Sequence, residues 1–177
     1  MGSLNYLTTT RPDIAYSIGI LSQFMAKPLE SHWVIAKKVL RYLKGTVNFG
    51  IMYTDNCDVE LTGYSDLDWD GNPDDKKSTL GYAFNIGTGV VSWSSKKLPT
   101  VSLSSTEAEY KALFNATCEV VWLRRILEDI SKKKMNPTVL KCDNQSCIKL
   151  AHNLNYHART KHIEIQHHFV REKIQSN

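Results

Sequence analysis

Between residues 12 and 25 the apolar positions Ile14, Ile18, Leu21 and Met25 recur at steps of three and four, the spacing of one helix face. Pro12 suits a first helical position, where no intrahelical N–H is needed, and Pro28 breaks the run. A second helix is predicted over residues 31–44. Ser31 is its candidate N-cap, Trp33, Ala36, Leu40 and Leu43 its apolar stripe, and Gly45 its stop. Together they predict a helical hairpin, too small to be a convincing domain alone.

The polar residues 54–58 read as a linker, and beyond them the period changes. Residues 59–66 form a strand candidate. Residues 79–86 and 90–95 flank Gly87-Thr88-Gly89 and read as a β-hairpin. Residues 105–130 carry the strongest helical pattern in the chain. Residues 138–142 form a short strand, and 144–152 and 160–174 are helical by period. Three strands, a helix, a strand and further helices predict an α/β chain, a mixed sheet flanked by helices and preceded by the N-terminal helical hairpin. The expected division is a hairpin over residues 1–53 and an α/β domain over residues 54–177.

Composition narrows the class. With 42% hydrophobic and 23% charged residues, the chain can bury a core, which excludes a disordered tail. No apolar run approaches the roughly 18 residues of a membrane span. The N-terminus lacks the basic-then-apolar pattern of a secretory signal, and Tyr6 stands where a myristoylation motif needs Ser or Thr. A cytoplasmic or nuclear protein without membrane partners is therefore expected, and a secreted effector is disfavoured. Cys57, Cys118, Cys142 and Cys147 contain no C-x-x-C pair and are expected as reduced thiols. His152, His157, His162, His167 and His168 crowd the last quarter. Without a cysteine pair they read as surface or packing histidines rather than a zinc site.

The positive charge is placed unevenly. Arg11, Lys27, Lys37, Lys38, Arg41 and Lys44 stand against Asp13 and Glu30 in residues 1–53, and the remainder is balanced. Lys37, Arg41 and Lys44 share one face of the second helix, a candidate nucleic-acid contact or simply a solvated face. Trp69 and Trp93 are either core residues or stacking surfaces for bases.

Three acids carry the candidate chemistry. Asp66 ends the first predicted strand before a turn, and Asp143 lies between a strand and a helix. Either alone reads equally as a turn former or helix cap. Glu109 is more informative. The inward stripe of the long helix runs Leu113, Ala116, Val120, Leu123, Leu127, and four residues before Leu113 is Glu109. A carboxylate on a buried stripe is costly unless it is paired or binds a metal. Its neighbour Glu107 has a structural account, because Ser104 precedes it at capping-box spacing. Three gathered carboxylates repel unless divalent cations hold them. Oxygen ligands suit Mg²⁺ or Mn²⁺, and two such ions about 3.5–4 Å apart suit phosphodiester cleavage.

Several motifs resemble one family, the Pol polyproteins of copia-type LTR retrotransposons. Gly63-Tyr64-Ser65-Asp66-Leu67-Asp68-Trp69, Lys77-Ser78-Thr79-Leu80-Gly81-Tyr82 and Ser92-Trp93-Ser94-Ser95-Lys96-Lys97 resemble its RNase H domain. So do Leu103-Ser104-Ser105-Thr106-Glu107-Ala108-Glu109-Tyr110, Cys142-Asp143-Asn144-Gln145-Ser146 and Arg159-Thr160-Lys161-His162-Ile163-Glu164. Tyr6-Leu7-Thr8-Thr9-Thr10-Arg11-Pro12-Asp13-Ile14 and Leu40-Arg41-Tyr42-Leu43-Lys44-Gly45-Thr46 resemble the end of its reverse transcriptase. The resemblance implies an RNase H-like fold with two Mg²⁺ (or Mn²⁺) ions. It places Asp66, Glu109 and Asp143 as catalytic and metal-ligating residues and an RNA–DNA hybrid as substrate, read by shape and 2′-OH groups.

Two departures shape the expectation. The family's polymerase aspartates belong upstream of Tyr6, so these residues are not expected to polymerise. The family continues beyond Arg171-Glu172-Lys173 into a strand and a helix with a fourth acid, which these 177 residues do not contain. Glu164 is the nearest substitute. Weak or absent hydrolysis is expected, with reverse transcriptase segments from another chain as conceivable partners. The alternatives are a non-catalytic nucleic-acid-binding remnant and a degenerate transposon fragment.

Overall fold

The computed structural model describes residues 1–54, 60–68, 77–99, 101–102, 104–152 and 161–176, with side chains from residue 165 onward in the last segment. Cys57, Trp69, His157 and the side chains of His162 and Glu164 lie outside the described residues, as does the predicted linker beyond Thr54.

The N-terminal region folds as helices around a small core of its own. It comprises α1 (Gly2–Leu7), a single 3₁₀ turn (Pro12–Ile14), α2 (Ala15–Gln23) and α3 (Glu30–Gly45). Ile14, Ile18, Leu21, Ala36 and Val39 are buried together. Pro12 thus opens a 3₁₀ turn that leads into α2 rather than starting the α-helix itself. Ser31 lies inside α3 and is not its cap. The helix begins after Leu29, whose N–H donates to His32 Nδ1 at 3.1 Å. Arg11 ties the region together. It donates to both oxygens of Asp13 (2.9 and 2.7 Å) and to the carbonyl and hydroxyl oxygens of Thr46 (3.0 and 2.8 Å), at the end of α3.

The predicted apolar stripe of α3 is corrected in one respect. Ala36 is buried as expected, but Val39 is its inward partner, while Trp33 and Leu40 are 59% and 48% exposed. Apolar residues surround much of this helix, so the period alone does not choose the buried face.

Beyond residue 60 lie β1 (Leu61–Asp68), β2 (Thr79–Ile86), β3 (Gly89–Lys97), α4 (Ser105–Ser131), β4 (Val139–Cys142), α5 (Gln145–His152) and α6 (Lys161–Gln175). The four strands form one mixed sheet in the order β3-β2-β1-β4. β1 runs antiparallel to β2 and parallel to β4, and β2–β3 is a hairpin. Its turn needs Gly87, whose φ is 55°, a value unfavourable for residues with a Cβ. The α/β class expected from the order of elements is what the chain adopts.

α4 covers one face of the sheet. Leu67, Leu80 and Leu98 pack on Ala108 and Ala112, while Leu61 and Phe84 pack on Ala116 and Leu123. α5 and α6 extend this layer, with Cys147, Ala151 and Val170 closing on Tyr110 and Leu113. Burial alternates along β1, so Leu61, Gly63, Ser65 and Leu67 face inward while Tyr64, Asp66 and Asp68 are exposed. The N-terminal helices pack against β3. Trp93 Nε1 donates to the Thr8 carbonyl at 2.9 Å, and Lys97 Nζ donates to Gln23 Oε1 at 2.9 Å. Trp93 is therefore anchored rather than free for stacking.

Candidate active site

The site lies where the start of α4 meets the end of β4. Ser104 caps α4 by accepting the Glu107 N–H at 3.1 Å, and Glu107 pairs with Lys111 at 2.8 Å. Glu107 is thereby used structurally, as its spacing predicts. Glu109, half a turn later, turns inward on the same face as Leu113 and is only 9% exposed.

Asp143 follows the last residue of β4. The cap of α5 is its neighbour Asn144, whose Oδ1 accepts the Cys147 N–H at 2.9 Å. Asp143 is therefore relieved of the capping role and remains exposed. One ligand atom from each of Glu109, Cys142 and Asp143 lies within 4.8 Å of the others.

Asp66 lies outside this group. β1 continues two residues past it, so Asp66 does not end the strand but pairs with Gly81 inside the ladder. Its side chain is on the exposed side of the alternation, and its Oδ1 accepts the Leu67 N–H at 2.8 Å. It remains near enough for its charge to act on Glu109.

The electrostatics single out Glu109. Its carboxyl is pushed up to about 7, first by burial and then by the negative charges of Cys142, Asp143 and Asp66. The Asn144 side chain opposes this by hydrogen-bonding to the carboxylate. Among the described residues Glu109 Oε2 nevertheless has no partner, and neither has buried Ser65 Oγ, opposite Cys142 in the β1–β4 ladder. A buried carboxylate oxygen left unpaired beside other acids is a physical reason to expect a cation there. Carboxylates of this kind fit Mg²⁺ or Mn²⁺.

Cys142 and Asn144 were not singled out by sequence. The motif containing them is visible, but nothing in a four-residue strand says that the Cys142 sulfur turns towards Glu109. Cys147 hydrogen-bonds to that sulfur and draws the Cys142 thiol below its ordinary range. The histidines gather no metal-binding group among the described residues. His167 is buried, with its ring centroid 3.9 Å from that of Tyr110.

Lys37, Arg41 and Lys44 are all exposed on α3. Lys37 Nζ lies 5.8 Å from the centroid of the Trp33 ring, so an exposed tryptophan heads the basic row. Among the described residues no helix is long and apolar enough to cross a membrane.

No protein-family model matches the chain. It is 45% identical over 176 residues to the retrovirus-related Pol polyprotein from transposon RE1 of Arabidopsis thaliana, covering 99% of this chain and 12% of that one. To the corresponding polyprotein from transposon TNT 1-94 of Nicotiana tabacum it is 42% identical over 175 residues, 98% of this chain and 13% of that one. A shorter relative, named secreted RxLR effector protein 161, of Plasmopara viticola, is 50% identical over 124 residues, 70% of this chain and 87% of its own. RNase H1 of Halobacterium salinarum NRC-1 superposes with a TM-score of 0.46 at 18% identity, over 66% of this chain and 77% of that one, too loosely to carry an argument. The chain thus spans only about an eighth of the polyproteins it matches, yet matches them along nearly its whole length; it belongs to the family of retrovirus-related Pol polyproteins of copia-type retrotransposons.

Proposed function

We propose that the α/β part of this chain is an RNase H-like unit that hydrolyses the RNA strand of an RNA–DNA hybrid, with Asp66, Glu109 and Asp143 as its catalytic and metal-ligating acids. The observation that carries the reading is the unpartnered, buried Oε2 of Glu109 beside Asp143. A soluble core has no structural use for such a group. When bound, Mg²⁺ or Mn²⁺ supplies the charge that activates a water and steadies the leaving oxygen.

The chain's own residues have separable tasks in this reading. The second turn of α4 carries Glu109, and the Asn144 side chain favours its charged form while Oε2 has no partner among the described residues. Asp143 supplies an exposed carboxylate on the substrate side. Asp66 adds charge from β1 and stands outside the group of Glu109 and Asp143, so its carboxylate would need to move closer to become a direct ligand. With Asp66 outside the group that Glu109 and Asp143 share, slow turnover is expected. The proposed domain division, 1–53 and 54–177, assigns the basic row of α3 to a unit resembling the end of a reverse transcriptase.

The test is cleavage of a hybrid labelled in its RNA strand, beside double-stranded DNA and RNA. RNA release from the hybrid alone, abolished by Glu109→Gln, supports the assignment. Equal cleavage by wild type and Glu109→Gln rejects it.

A second reading, binding without hydrolysis, is favoured by the exposed row Trp33, Lys37, Arg41 and Lys44. It offers a stacking surface and three phosphate-seeking charges. Salt-sensitive hybrid binding indifferent to Asp143→Asn, without cleavage, would select it.

A further inference from the structure

We propose that Glu109, Cys142 and Asp143 form a binding site for a thiophilic divalent cation, best matched by Zn²⁺, which competes with the oxygen-seeking cations of the reading above. The inference rests on that reading only in taking Glu109 and Asp143 as cation ligands.

Three observations carry it. The donor set contains a sulfur, since Cys142 stands with the two carboxylates inside the 4.8 Å group. The most buried member, Glu109, is more than nine-tenths covered, and its Oε2 is unpartnered. The Cys142 side chain is itself held from behind, because it packs against the buried cluster of Cys147, Tyr110 and Leu113.

The chemistry discriminates between ions. Mg²⁺ takes oxygen ligands in a near-octahedral shell and has little use for sulfur. Zn²⁺ accepts sulfur at ~2.3 Å and carboxylate oxygen at ~2.0–2.2 Å, and three protein donors with one open position are a common arrangement for it. Such donors stand roughly 3.3–3.6 Å apart around the ion, so a group already within 4.8 Å needs at most a small contraction. Exposed Asp143 has the freedom to supply that movement. Zn²⁺ also outranks Mn²⁺ in affinity for a given set of donors. An ion seated there takes the carboxylates the other cations need, so zinc is an inhibitor in this account. Among the described residues no histidine joins the group.

Co²⁺ serves as a spectroscopic stand-in for Zn²⁺, using the 177-residue chain with Cys57→Ser and Cys118→Ser as background. The expected result is a sulfur-to-cobalt charge-transfer band that saturates at one equivalent and is displaced by Zn²⁺. Cys142→Ser abolishes the band, and Asp143→Asn weakens Co²⁺ affinity ~10–100-fold. A folded background protein without the band, or a band that survives Cys142→Ser, overturns the proposal. If Cys142→Ser fails to fold by circular dichroism, unchanged Co²⁺ affinity in Asp143→Asn overturns it instead. Hybrid cleavage in Mg²⁺, measured on the same preparations, separates the two readings. Cleavage without a cobalt–sulfur band rejects this inference and leaves the hydrolase standing. A Cys142-dependent band without cleavage supports this inference and counts against the hydrolase.

Discussion

Asn144 Oδ1 accepts the backbone N–H of Cys147 at 2.9 Å, and this one bond separates the roles of two adjacent residues. Asn144 starts α5, and Asp143 is left with an exposed carboxylate beside Glu109. The two substitutions should therefore differ in kind. Asn144→Ala loses a cap and should lower stability by about 1 kcal/mol. Asp143→Asn should leave the urea midpoint almost unchanged while weakening divalent-cation binding. Equal loss of stability in both would mean that Asp143 has a structural role after all.

Glu109 should make the metal-free protein less stable as pH rises. Its folded pKa of about 7 lies above the ordinary 4.5, so the fold favours the neutral acid. The contribution is fully present below the ordinary value and is lost as pH rises through about 7. Urea midpoints at about pH 5 and about pH 8 should differ more in wild type than in Glu109→Gln, and added Mn²⁺ should narrow the gap at the higher pH. An identical pH profile in the two proteins would contradict the charge repulsion inferred at the site.

Gly63 should tolerate no side chain. A Cβ there would run into the Phe84 ring and stand 2.8 Å from Leu140 Cδ1, and Phe84 is completely buried under α4. Gly63→Ala should destabilise by about 1–3 kcal/mol, through overpacking rather than backbone strain. Thermal or urea unfolding checks this directly.

The basic row on α3 should govern the salt dependence of nucleic-acid binding. Replacing Lys37, Arg41 and Lys44 with Gln should reduce the slope of log affinity against log salt by up to about 3. Because the row is on α3 and the three acids are on or beside β1, α4 and β4, an active enzyme should keep its turnover at saturating hybrid. An unchanged slope would show that the row is only a solvated face.

The parts of this molecule legible in sequence are those with one dominant period. The long stripe of α4 placed Glu109 inward because a single acid interrupts an otherwise apolar row. The β-hairpin was legible from Gly87 and the alternation around it. The face of α3 was so only in part, since Trp33 and Leu40 border the exposed row of Lys37, Arg41 and Lys44 and the apolar arc is wider than the face that is buried. α1 was missed because six residues without an apolar period carry no helical signal. At the site, Asp66, Glu109 and Asp143 were legible as three candidate acids, but the strand geometry that sets Asp66 apart from the other two was not. The ladder runs two residues past Asp66, and the alternation along β1 puts Asp66 on its open side. Cys142 was invisible as a site residue because its approach to Glu109 is set by tertiary packing, with Cys147 behind it.

The most direct test of the central claim is Mg²⁺- and Mn²⁺-dependent cleavage of an RNA–DNA hybrid by the wild type beside Asp143→Asn, both verified as folded. The expected result is slow, metal-dependent release of RNA fragments by the wild type and none by Asp143→Asn. A folded wild type that binds the hybrid and never cleaves it, or cleavage that persists in Asp143→Asn, would contradict the account.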